Sequence, residues 1–227
     1  MELNIHLPDE VPAMTLPNMV FFPQALLPLH IFEPRYQQML RDVLATHRLF
    51  AVAHLDPRRA GQSGEFEPAH PIATVGIIRA CQENDDGTAN LLLQGLCRVE
   101  LLSVQREDPY RFVQVRALTS TPGAATDENL RLRADLTRLI ALKRKLGAPV
   151  PREFTDFLKT VDDPETFVDL AAFSLCDDPR LKQTLLETLD IHRRLQLFSA
   201  QVRAELDALK LHQKLQGNLP DDRISFN

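Results

Sequence analysis

Hydrophobic positions follow two different periods along this chain. Through the first half they come in short runs or alternate with polar residues, the spacing of strands. Beyond about residue 128 they recur every three or four positions, the spacing of helices. Residues 11–31 carry prolines at positions 12, 17, 23 and 28 among apolar residues. Proline cannot donate to a strand ladder, so strands here should be short, irregular or at an edge. After Glu33-Pro34, the residues Tyr36, Met39, Leu40, Val43 and Leu44 share one helical face. Pro34 suits the first helical turn, where its missing N–H is not needed. Residues 49–55 read as a strand and 58–71 as a long polar loop. Two more strands, 73–80 and 89–94, flank Asn84-Asp85-Asp86-Gly87, a hairpin turn signal. Residues 97–104 and 110–115 continue the pattern, with Arg98 and Glu100 on one face and Val99 and Leu101 on the other. Closely spaced antiparallel strands of this kind predict a small sheet that curls into a barrel.

The segment 118–128 is small, polar and carries Pro and Gly, the composition of a boundary. It divides the chain into a strand-rich part, 1–119, and a helical part, 120–227. Leu132, Leu136, Leu139, Ile140 and Leu146 form one helical stripe; Phe154, Phe157, Leu158 and Val161 form another. Asp162-Asp163-Pro164 and Asp177-Asp178-Pro179 each place Asp at an N-cap and Pro at the first helical position. Asp190 can cap a last helix with the apolar face Leu195, Phe198, Val202, Leu206 and Leu209, roughly 37 Å long if it reaches residue 214. Gly217 and Pro220 should end it. The fold class expected is α+β.

Composition and charge narrow the function. The formal net charge of −5 argues against a nucleic-acid partner, since such binders carry excess positive charge. No apolar run approaches 18 residues, so no membrane partner is expected. The acidic start, MELNIHLPDE, lacks a secretory signal pattern, and the expected location is cytoplasmic. Cys81, Cys97 and Cys176 are widely spaced and should be unpaired, mostly buried thiols. There is no phosphate loop, no dinucleotide fingerprint and no zinc-binding spacing, so no cofactor is implied. Gly61-Gln62-Ser63-Gly64-Glu65 lacks the second glycine of a nucleophile elbow. Neither His30 with Glu33 nor His54 with Asp56 supplies the three ligands of a catalytic zinc. Each has a plainer reading: His30 hydrogen-bonded in a partly buried segment, His54 near a strand end. Glu33 and Arg35 read as a helix cap with an orienting ion pair.

Residues 16–40, LPNMVFFPQALLPLHIFEPRYQQML, resemble the opening of the Lon amino-terminal, substrate-binding domain. Leu16-Pro17, Val20, Phe22-Pro23, Pro28-Leu29, Ile31-Phe32-Glu33 and Arg35-Tyr36 match that pattern, and Gly76, Gly95 and Arg98 match its later strands. In the helical half, the D-D-P turn and the step Leu185-Leu186-Glu187-Thr188-Leu189-Asp190 match again; Arg193 departs where the family often has Glu. The resemblance spans about residues 12–212 and implies a PUA-like β-barrel followed by an all-α subdomain. It also implies a role in recognising protein. No ATPase phosphate loop or Ser–Lys peptidase segment is found in the sequence, so a free-standing, non-catalytic module is expected. The partners expected are unfolded or extended protein segments, or a docked protein. The candidate contact residues are His30, Phe32, Glu33, Arg35 and Tyr36, although core positions are the plainer expectation for Phe32 and Tyr36. Three alternatives stay open: RNA binding, which PUA-like barrels often perform; a hydrolase using His30, Glu33 or Ser63; and a scaffold or homodimer formed through the Leu195–Leu209 face.

Overall fold

A computed structural model describes residues 7–59 and 67–216. Its strands are β1 (Glu10–Leu16), β2 (Leu26–Ile31), β3 (Leu49–His54), β4 (Ile72–Glu83), β5 (Ala89–Arg106) and β6 (Phe112–Ala117). Helix α1 (Pro34–Leu44) lies between β2 and β3. Five helices follow β6: α2 (Thr126–Lys145), α3 (Arg152–Lys159), α4 (Pro164–Leu175), α5 (Pro179–Glu187) and α6 (Ile191–Gln216).

The sheet order is β2-β5-β4-β3-β1-β6, and β6 also pairs with β5. That last pairing closes β5, β4, β3, β1 and β6 into a ring and leaves β2 outside it, held by β5 alone among the described residues. The long β5 makes this possible. Its first half pairs with β2, its second half with β6, and bulges bend it within the β6 ladder. The two segments expected at 89–94 and 97–104 are therefore one strand. Not every pair is antiparallel: β1 and β3 run parallel, because α1 carries the chain back between them.

Two apolar clusters explain the strand sequences. Small residues, Ala13, Ala51, Ala53 and Ala73, share the barrel interior with Val11, Val75, Val99, Val113 and Val115. Met14, Phe50 and Val52, on the other faces of the same strands, join α1 and the helices in the larger cluster. Every residue of β3 is buried, which is why its sequence LFAVAH is a nearly continuous apolar run. The β4–β5 turn forms as expected, with Gly87 at φ 81° and the Asn84 N–H donating to the Thr88 carbonyl at 2.8 Å.

The three acidic caps hold. Asp163 accepts from the Thr166 N–H, Asp178 from that of Arg180, and Asp190 from that of Arg193. On α6 the residues Leu195, Phe198, Val202 and Leu206 are buried as the spacing predicts. Phe157 departs from its stripe and is exposed. Of the thiols, Cys176 is buried while Cys81 and Cys97 are half-buried; all three are free, and burial raises each pKa.

The barrel is fixed to the helices by buried charge. Arg98 on β5 donates both terminal nitrogens to the Asp169 carboxylate on α4, each at 2.7 Å. Arg194 on α6 donates to the same carboxylate at 2.8 Å. The two Nε atoms donate to the carbonyls of Leu186 and Thr188, at 3.0 and 2.9 Å. Glu165 lies within 3.4 Å of both guanidinium groups and balances the second positive charge. All three central side chains are buried, so their charges need this full set of partners.

Candidate functional site

The five expected contact residues fall into two groups. His30 and Phe32 stand on the outer face of β2. Glu33, Arg35 and Tyr36 turn away into α1 and the barrel rim.

Strand β2 alternates cleanly. Leu27 and Ile31 are buried, while Leu26, Pro28 and His30 are exposed. Phe32 follows the strand and is 62% exposed, so it is not a core residue; Leu26 is 51% exposed. His30 is not partly buried as expected. Its Nδ1 lies 2.9 Å from Asn90 Oδ1, and its ring stacks on Phe32 at 6.0 Å between centroids. Leu92 sits across from Pro28 on β5, and Ala80 lies beyond it on β4. Together they extend the apolar strip across the sheet.

The register also shows which backbone groups of β2 are taken. The Gly95 N–H donates to the Ala25 carbonyl, which makes residues 25 and 95 a hydrogen-bonded pair. Antiparallel ladders alternate, so 27/93, 29/91 and 31/89 are bonded pairs and Leu26, Pro28 and His30 direct their backbone groups outward. The β4–β5 ladder agrees, since the bonded Asn84/Thr88 pair assigns Asn90 and Leu92 to β4.

The second group is an ion-pair set. Arg35 donates to Glu33 at 2.9 Å and to both oxygens of Glu67 at 2.7 and 3.1 Å. The bond to Glu67 raises the Arg35 pKa further. Its guanidinium lies 4.5 Å from the Tyr36 ring centre. Tyr36 is 6% exposed, and burial, with the Glu67 charge second, pushes its hydroxyl up to about 12. Glu33 occupies the N-cap position of α1 without a side-chain cap bond, since its carboxylate serves Arg35 instead. Arg35, Tyr36 and Glu67 line, with Arg111, a hollow of about 350 Å³.

A larger cleft, about 670 Å³, opens where β3 meets α5. His54 and His70 stack there at 5.1 Å between centroids, with Asp56, Gln183 and Glu187 around them. Burial lowers the His54 pKa, and neighbouring His70 lowers it further. Hydrogen bonds from Arg58 hold Asp56 below the usual carboxylate range. His54 Nδ1 and Gln183 Oε1 are both buried outside hydrogen-bonding geometry. The sequence reading missed this cleft because its walls come from segments more than a hundred residues apart. No group of three or more possible metal ligands occurs among the described residues. Ser63 lies outside the described residues, as do Gly217 and Pro220.

Fold and surface thus define a class: a small closed barrel carrying an outer strand and an attached helical bundle, with an apolar strip on that outer strand. Residues 10–202 match the family model of the ATP-dependent protease La (LON) substrate-binding domain, and the chain belongs to that family. Among relatives, it is 27% identical over 218 residues to a Lon protease of Desulfosudis oleivorans and 28% identical over 219 residues to one of Syntrophus aciditrophicus. Each alignment covers 95% of this chain but only 26% and 28% of those relatives. The chain therefore spans about a quarter of the length of the curated relatives it matches. The fold matches the N-terminal domain of Mycobacterium avium complex Lon protease, with TM-score 0.64 and 18% identity, over 89% of this chain and 99% of that one. It also matches a Lon N-terminal domain protein from Xanthomonas campestris, with TM-score 0.62 and 21% identity, over 84% of this chain and 97% of that one.

Proposed function

We propose that this domain recognises exposed apolar segments of protein chains and performs no chemistry of its own. The observation that carries the reading is the apolar strip on β2, where Leu26, Pro28 and Phe32 face solvent in a family named for substrate binding. Large exposed apolar residues in a cluster mark an interaction surface more often than isolated ones do. His30 steadies Phe32 by stacking, and the Glu33–Arg35–Glu67 set fixes the start of α1 just behind it. In this reading His30 and Phe32 make contact, whereas Glu33, Arg35 and Tyr36 position them.

Fluorescence anisotropy tests this with three labelled ligands: an unfolded polypeptide, the same polypeptide folded, and a short RNA. Saturable binding to the unfolded chain alone is expected. Phe32→Ala should weaken it about tenfold, the loss of one well-packed apolar anchor. Binding to RNA alone would replace this reading with a nucleic-acid one.

A further inference from the structure

Granting that the domain binds protein segments, we infer that the segment binds as an added strand along the edge of β2 that no described residue pairs with, with a basic residue toward His30 and an acidic one toward Leu26. The outward groups define what such a strand must offer. Leu26 and His30 each present an N–H and a C=O, and Pro28 presents a C=O alone. An extended backbone answers these groups at every second residue. A helix cannot, because its own amides are already bonded.

Charge orients the occupant. The turn between β4 and β5 carries Asp85 and Asp86 just past Ala89, the register partner of Ile31, so the His30 end of β2 lies beside an acidic turn. At the other end Arg79 donates to Gln94, which is the register partner of Leu26. A strand running antiparallel to β2, with lysine near its amino end and glutamate near its carboxyl end, meets an acid and a base in that order.

Pro28 argues against a second copy as the occupant. In an antiparallel pair of β2 edges centred on Pro28, two proline carbonyls would face each other with no donor between them. A foreign strand forgoes only the one bond that Pro28 cannot donate.

The test uses the intact protein and a short synthetic peptide of alternating valine and threonine, with lysine at its amino end and glutamate at its carboxyl end. Two further peptides carry N-methyl groups on alternate amides, one on each alternate set. The expected result is at least tenfold weaker binding for one methylated set and little change for the other. Amide exchange at Leu26 and His30 should slow at least tenfold in the complex with the unmodified peptide. Equal effects of the two sets, or protection elsewhere with none at these amides, would overturn the inference. So would a peptide-independent dimer that protects the same amides. If the unfolded chain of the anisotropy experiment binds but the unmodified peptide does not, edge pairing falls and segment recognition stands. If neither binds, both fall.

Discussion

His54 shows how one residue's surroundings set a measurable property of the molecule. Its burial, with His70 stacked beside it, lowers its pKa in the folded state below the usual value of about 6.5. The unfolded chain therefore takes up a proton first as pH falls. The stability linked to neutral His54 is complete above about pH 6.5, and it declines as pH drops toward the lower folded value. His47 is shifted the same way by burial, so the slope has two contributors. Thermal unfolding should show a falling Tm below about pH 6.5. His54→Phe keeps a ring against His70 and should flatten part of that slope; an unchanged slope would assign the effect to His47 and other groups. Phe32 is the contrasting case, since its exposure separates binding from stability. Its truncation should leave the unfolding free energy from urea denaturation within about 0.5 kcal/mol of the parent.

Among the elements, β5 carries the most structural demands. It is shared by the outer sheet and the closed ring, and the chain before β2 crosses it closely. A Cβ built on Gly95 would stand 2.1 Å from the Phe22 carbonyl oxygen. That neighbour is backbone, so it cannot rotate aside. Gly95→Ala should destabilise the protein by upwards of about 2 kcal/mol in urea denaturation. A loss below about 0.5 kcal/mol would mean that the 22–25 segment yields freely. Element identity was well marked in the sequence. The α1 and α6 stripes and the three Asp caps were legible because helix period and capping are local properties. The joining of 89–94 and 97–104 was not, because Gly95 within the run reads as a break. In the fold its missing side chain admits the crossing chain instead.

At the scale of the whole molecule, the Arg98–Asp169–Arg194 centre makes barrel and helices one packed body. Its partners come from β5, α4 and α6, and all three side chains are out of water. Removing the carboxylate leaves two buried guanidinium groups with only the partly exposed Glu165 as a shared acceptor. Asp169→Ala should therefore cost about 3–5 kcal/mol. Far-ultraviolet circular dichroism and tyrosine fluorescence follow helices and barrel separately, and their unfolding curves should coincide in the parent protein. A small loss with coincident curves would show that the centre is dispensable. Asp169 left one trace in the sequence, as a lone charge in the apolar run Phe167–Phe173. Nothing local ties it to Arg98 or Arg194.

By itself, the sequence determined the two-part pattern of strands then helices, the three Asp caps, the main hairpin turn and the resemblance that names the family. Each of these depends on residues near one another in the chain, where period, φ preference and hydrogen bonding act at short range. Only the tertiary structure decided that Phe32 is exposed while Tyr36 is buried, that Arg35 is committed to Glu67, and that β2 is left outside the ring. The reason is geometric. Exposure and ion pairing are settled by which distant segments cover a residue, and an aromatic side chain carries the same apolar signal whether or not something covers it.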